Sequence, residues 1–373
     1  MSWQTQKLES VADFCLGKML DQKKNRGEPL PYLANVNVRW GEFDLANLRE
    51  MRFEQHELDR YGLKYGDIVM CEGGEPGRCA IWKEQCSSMM IQKALHRIRP
   101  HDCLRPEFLY YFFLYKGRTG HLASLFTGST IKHLPREKLA LVEVPVPPHS
   151  TQDQIASVLT AYDDLIENNR RRIQLLEQAA GLLYREWFIH LRFPGHEHVK
   201  IIDGVPEGWR KKPLGDVAPL CYGKALNKDR RTPGPFPVYG SSGIIGTHVK
   251  SLVSGPTIIV GRKGNVGSVF WSSDDCHPID TVYYIETCYC SLYLYYALQH
   301  MSFISTDVAV PGLNRDFAHS RFILVPAWKL YQLFDSKVRP LHQQIDVLRK
   351  TNSMLWKARD LLLPRLMNGE IAV

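Results

Sequence analysis

Residues 210–270 carry ten Lys or Arg against two acids, Asp216 and Asp229. The cations fall in loop-like stretches rather than along a helix face. Lys224, Lys228, Arg230 and Arg231 follow one short apolar run, and Arg262 and Lys263 sit among the glycines of residues 261–267. Gly240-Ser241-Ser242-Gly243 adds hydroxyls and bare backbone N–H groups. Cations in such loops hold phosphates, while Arg, Lys, Asn and Ser reach base edges. Glycine lets the backbone come close to a groove. The chemistry is that of a surface that binds a polyanion, and duplex DNA suits it.

The first half offers a counterpart. Lys18, Lys23, Lys24 and Arg26 form a basic loop at the equivalent place, although in isolation such a loop is an ordinary solvated surface. The turn that carries Arg262 and Lys263 answers Glu72-Gly73-Gly74-Glu75, with its charge reversed. This turn either reads different bases in the two halves, Glu75 accepting from a cytosine amine, or is structural in both. Thr130, Lys132 and His133 are matched to the Leu313-Asn314-Arg315 region, polar in each case before a β-type run.

Behind these loops lies a duplication of the whole chain. VADFCLGKML at residues 11–20 returns as VAPLCYGKAL at 217–226. Three further stretches recur in the same order: a β-type run that meets glycines and ends on Ile81-Trp82 or Phe270-Trp271, an aromatic segment at 108–112 and 291–295 that reads as a short buried helix or strand, and a proline stop at 144–148 and 325–328. Residues 38–64 show no clear counterpart. Each proline stop precedes a helix. Leu159, Ile166, Ile173, Ala180 and Trp187 are seven apart, and Tyr162, Asn169, Leu176 and Leu183 form the second series of a heptad. The second helix repeats the register with Leu341, Ile345, Leu348, Asn352, Leu355, Arg359, Leu362 and Leu366. Strict a/d spacing favours a coiled coil over a surface helix, about 50 Å long at ~1.5 Å per residue. Arg170, Arg171 and Arg172 read as a solvated face. The expected layout is a recognition domain (1–150), a coiled-coil helix (151–191), a linker (192–209), a second recognition domain (210–328) and a second helix (329–373).

Composition is that of a globular chain, 44% apolar and 23% charged with net charge +8, and a length of 373 residues supports two or three cores. Nine cysteines without a CxxC pair point to free thiols in a reducing compartment. With no signal-like apolar start and no stretch near ~18 apolar residues, a cytoplasmic location is expected. Enzyme signatures are missing: no P-loop, no dinucleotide fingerprint in context, no His-Glu-x-x-His, no Asp/Asn-Pro-Pro-aromatic, no Glu-x-Lys and no Gly-x-Ser-x-Gly. Asp21-Gln22-Lys23 keeps the nuclease argument short of proof. His190, His196 and His198 in the linker do not read as a metal site, so no metal is expected. A binding protein is expected rather than an enzyme.

The two half-openings (Leu8 to Ala12, Leu214 to Ala218), the linker motif Pro206-Glu207-Gly208-Trp209 and the helix ends at residues 182–188 and 361–371 resemble the specificity subunits of type I restriction–modification systems. The likeness spans essentially the full length; departures are confined to the recognition domains. It implies an α/β (α+β) architecture of two target recognition domains, each reading half of a bipartite site in double-stranded DNA. It also implies helices paired antiparallel as a ruler, two methyltransferase (modification) subunits docked on them, and restriction subunits joining to cleave. The chain itself would not catalyse, and S-adenosylmethionine and ATP would belong to the partners. Alternatives are the recognition subunit of another multisubunit restriction–modification type, or a coiled-coil scaffold that binds no DNA.

Overall fold

The computed structural model describes residues 3–21, 25–303 and 312–371. The chain divides into two units. Unit one comprises Met1–Asn168 with Asn352–Val373, and unit two is Asn169–Thr351.

In unit one a four-stranded antiparallel sheet runs in the order Ala12–Leu16, Leu95–Pro100, Ile68–Cys71, Cys79–Ile81. Beside it Arg49–Phe53 pairs antiparallel with Glu28–Leu33, which pairs parallel with Met90–Ile91. Unit two repeats this plan strand for strand. Its four-stranded order is Cys221–Tyr222, Val282–Ile285, Thr257–Gly261, Val269–Ser272. Its smaller sheet joins Gly243–His248 and His277–Pro278 to the two edges of Phe236–Gly240. Each unit is closed by a short antiparallel pair, Thr5–Lys7 with Glu143–Pro145 and Arg210–Pro213 with Phe322–Val325.

The β-type runs that meet glycines contain the two central strands, Ile68–Cys71 and Thr257–Gly261. Every residue of Ile68–Cys71 and of Thr257–Gly261 is buried, so neither face needs a polar side chain. The aromatic segments are helices in both units, Pro106–Arg118 and Leu292–Gln299. Phe108, Tyr111 and Phe113 lie in the core of unit one, and Leu292, Tyr293 and Tyr296 in that of unit two. Each such side chain contributes about 1.5–3 kcal/mol by leaving water.

One sequence alignment is corrected. Residues 38–64 do contain a counterpart element, because the strand Arg49–Phe53 holds the place of Gly243–His248. A strand defined only by its partner leaves little trace in residue identity. The connector is also structured: Ile201–Ile202 pairs with Val205–Pro206, and Phe193 and Trp209 are buried in the core of unit two.

The long helices are His149–Tyr184 and Trp328–Met367. Their heptad positions point inward. Leu159, Ile166, Asn169, Ala180 and Trp187 are buried, as are Ile345 and Leu348. Ile173, Leu176, Leu183, Leu355 and Leu362 are half-buried. In unit one Asn352 Nδ2 donates to Ile166 O at 3.2 Å and Arg359 pairs with Asp163, so one helix number falls as the other rises and the pairing is antiparallel. In unit two Arg349 meets Glu177 at 2.7 Å. Among the described residues no helix is long and apolar enough to cross a membrane.

Candidate nucleic-acid interface

The two glycine turns are built by one set of backbone hydrogen bonds. In unit one Cys71 N–H donates to Arg78 O, Gly77 N–H to Cys71 O and Arg78 N–H to Glu75 O, at 2.8, 3.0 and 3.2 Å. In unit two Gly261 donates to Ser268, Gly267 to Gly261 and Ser268 to Asn265, at 2.7, 2.9 and 3.3 Å. Gly74 and Gly264 have φ of +78° and +79°, and Gly77 and Gly267 +87° and +79°. A side chain at these positions would be strained, so the glycines serve the turn. Glu72 is thereby matched to Arg262, and Glu75 to Asn265.

A second loop is clamped beneath each turn. Leu134 N–H donates to Glu72 O at 2.7 Å and Leu313 N–H to Arg262 O at 2.8 Å. His96 Nε2 lies 2.8 Å from Leu134 O, and Tyr283 OH donates to Leu313 O at 2.9 Å. His96 faces Met70 across the sheet as Tyr283 faces Val260, so one strand position makes the same clamp with two residue types. Burial lowers the pKa of His96, which keeps the ring neutral with its proton on Nε2. This clamp also resets the register expected from sequence. Leu134 answers Leu313, so Lys132 and His133 precede the match, and Asn314-Arg315 answers Pro135-Arg136.

In unit one Glu75 is fixed. Trp40 Nε1 donates to one carboxylate oxygen and Arg78 Nη1 to the other, each at 2.7 Å. The Trp40 ring in turn lies against Gly117, where a Cβ would come within 2.4 Å of it. Glu75 lies on the wall of an open cavity of about 650 Å³, together with the exposed Lys132 and Ile131. His133 Nδ1 is 3.5 Å from Glu72. Arg26 is exposed. Lys23 and Lys24 lie outside the described residues. Lys18 is buried, donating to Arg52 O at 2.9 Å and pairing with Glu57 at 2.5 Å, so it is no part of a basic surface.

In unit two the turn is cationic. The Arg262 guanidinium lies 5.0 Å from the Tyr222 ring centroid and Arg315 lies 5.1 Å from the same ring. Such stacking aligns two cations at modest cost in entropy. Lys263 is exposed, as are Lys228 and Arg230 in their 3₁₀ turn. Asn265 Nδ2 donates to Ser242 Oγ at 3.3 Å, and Ser268 Oγ to the backbone oxygen of Ser241 at 2.7 Å. Two sequence candidates are occupied internally. Arg231 donates to Leu226 O at 3.3 Å and to Ile245 O at 3.0 Å, pinning its own loop. Asn314 caps the helix Arg315–Ser320, its Oδ1 accepting from Asp316 N and Phe317 N at 2.8 and 3.1 Å. The residues that sequence reading passed over are Trp40, Arg78, Tyr222 and Asn265. Asn265 stands in the glycine turn read from the sequence, but only the turn's hydrogen bonds set it opposite Glu75.

Among the described residues no group of three or more His, Cys, Asp or Glu side chains is placed to hold a metal. The linker histidines contact Glu186 and Glu197 instead, at 2.8 Å for His190 and 3.3 Å for His196.

The family profile described as type I restriction modification DNA specificity domain matches residues 1–178 and 206–317. The MjaIX specificity subunit of a type I restriction enzyme from Methanocaldococcus jannaschii is 25% identical, covering 100% of this chain and 94% of its own length. The HindI specificity subunit from Haemophilus influenzae is 22% identical, covering 90% and 92%. A solved S subunit of a type I restriction–modification system from M. genitalium superposes with a TM-score of 0.57 at 20% identity, over 98% of this chain and 96% of that one, and speaks for the fold. The chain belongs to the type I restriction–modification DNA specificity family, and its role is DNA recognition.

Proposed function

We propose that the chain reads a bipartite, asymmetric target in double-stranded DNA, one half-site for each unit, and directs two methyltransferase subunits and the restriction subunits to it. The observation that carries this reading is the pair of turns: one backbone frame, Glu72 and Glu75 in one unit, Arg262, Lys263 and Asn265 in the other. Equal frames with unequal side chains support two dissimilar half-sites. Arg262 and Arg315, aligned on Tyr222, hold a phosphate, with Lys228, Arg230 and Lys263 on the same polyanion. Lys132, His133 and Arg26 take the equivalent part in unit one, and Ser241 and Ser242 lie within reach of base edges. The antiparallel helices set the spacing between half-sites, and catalysis, S-adenosylmethionine and ATP are left to the partner subunits. A scaffold that binds no DNA is not favoured by the family assignment.

The test exchanges residues 208–325 for the same region of a relative and sequences the methylated bases of a host carrying the hybrid with its methyltransferase. One half of the methylated motif should change and the other should persist. A change in both halves, or in neither, overturns the assignment of one half-site to each unit.

A further inference from the structure

We propose that Glu75 and Asn265 are the matched base-reading positions of the two units, Glu75 taking the exocyclic amine of a cytosine and Asn265 the paired donor and acceptor of an adenine. The proposal rests on the DNA-reading function above and names the chemistry of one base pair in each half-site. Three observations carry it. The positions are equivalent by hydrogen bonding, since each residue's carbonyl accepts from the N–H three residues later and each follows a glycine of left-handed φ. Both side chains are exposed on their turns. Exposed apolar surface accompanies both: Ile131 shares the cavity wall with Glu75, and Ile244 follows two residues after the Ser242 that Asn265 contacts; such surface suits the thymine methyl of the adenine's own pair or of a neighbouring step.

The identity of the bases follows from the donor and acceptor inventory. Both oxygens of Glu75 already accept, from Trp40 and from Arg78, and the lone pairs that remain are acceptors too. An acceptor-only group matches the cytosine N4 amine in the major groove. Adenine offers an amine as well, but beside N7, whose lone pair would face the carboxylate. Trp40 and Arg78 are positioning residues: they hold the carboxylate in one orientation, so no rotamer freedom is lost on reading. Asn265 carries one acceptor and one donor side by side, the complement of adenine N6 and N7. Its contact to Ser242 is long and exposed, and the hydroxyl can turn to water when the amide engages a base.

The experiment uses the full-length chain assembled with its methyltransferase partner, selecting from a duplex library randomised over both half-sites. Wild type, E75N and N265E are compared. E75N should move one position of one half-site from C to A, and N265E should move one position of the other half-site from A to C, each by about tenfold to a hundredfold in preference. Unchanged selection by both variants at unchanged strength overturns the proposal while leaving the DNA-reading function intact. Loss of selection at every position overturns it too, because one base contact does not carry a whole site. A wild-type complex that selects no sequence sinks the DNA-reading function itself. E75Q, which keeps the size and exchanges the all-acceptor edge for one acceptor beside one donor, should relax the C preference in favour of A; retention of the full C preference counts against the proposal.

Discussion

The turn of residues 72–77 and the turn of residues 262–267 share every backbone hydrogen bond described above and differ in charge at the same positions. Turn shape resides in glycine φ values and main-chain pairing, which exposed side chains do not disturb. Those side chains can therefore change sign without a cost in folding. The long helices show the opposite relation. Their outlines are alike, but unit one fastens its helices with a buried ionic network, whereas unit two relies on a cluster of Tyr184, Trp187, Phe188, Phe334 and Tyr296. In unit one Arg359, 4% exposed, pairs with Asp163 and Asp360, while Tyr111 OH donates to Asp163 at 2.9 Å and Arg118 to Asp360 at 2.8 Å. Burial opposes the charge of Arg359, but the two carboxylates outweigh it and its pKa is raised.

Asp163→Ala should produce the largest effect. It takes from the buried Arg359 one of its two carboxylate partners, and unit one should lose roughly 3 kcal/mol, the low end for breaking a buried pair, because Asp360 still accepts. Glu177→Ala in unit two removes a pair whose side chains are 50% and 41% exposed, and should cost under about 1 kcal/mol. Hydrogen exchange resolved by unit measures both; equal losses would erase the contrast.

His342 sharpens the contrast through pH. It is buried against Tyr296 OH at 2.8 Å, and burial, aided by Arg349, pulls its pKa down to about 4. The unfolded chain takes up a proton near pH 6.5, which the folded ring refuses until about 4. Stability of unit two therefore falls as pH drops through that window and levels off below it, by roughly 3 kcal/mol in all. His342→Phe should flatten this slope, read from thermal unfolding between pH 7 and 4. His96 acts in unit one with the same sign and should be untouched; an unaltered slope in unit two would remove His342 from the account.

The smallest effects separate frame from reading face. Asn314→Ala should cost about 1 kcal/mol as a lost N-cap and leave sequence preference alone. Lys263→Ala should leave stability alone, weaken binding across all sequences and reduce the slope of log affinity against log salt by about one. If Asn314→Ala changed the preferred bases, the cap would have to be counted among the reading groups.

Much of the fold was legible because repeats and periods are properties of residue order. The heptads were legible because a position seven residues on returns to the same face of a helix; Leu159, Ile166, Ile345 and Leu348 are buried. The strand Arg49–Phe53 was missed because its sequence, REMRF, shares nothing with GIIGTH, the strand that holds its place in unit two. The candidate interface was legible as composition and less so as individual roles. Lys18, Arg231 and Asn314 are the residue types that DNA readers use, and each is engaged by a partner within its own unit.

By itself the sequence determined the duplication, the glycine turns, the heptad seam and the opposite charge of the two turns. All of these follow from local spacing and backbone preference. Only the tertiary structure decided that Glu75 answers Asn265, that Leu134 answers Leu313, and that a histidine and a tyrosine make the same clamp. It also decided which cations remain exposed. The physical reason is that a polar group's availability depends on what is packed beside it, and those neighbours, Glu57 for Lys18, Ile245 for Arg231 and Trp40 for Glu75, stand 14 to 39 residues away along the chain.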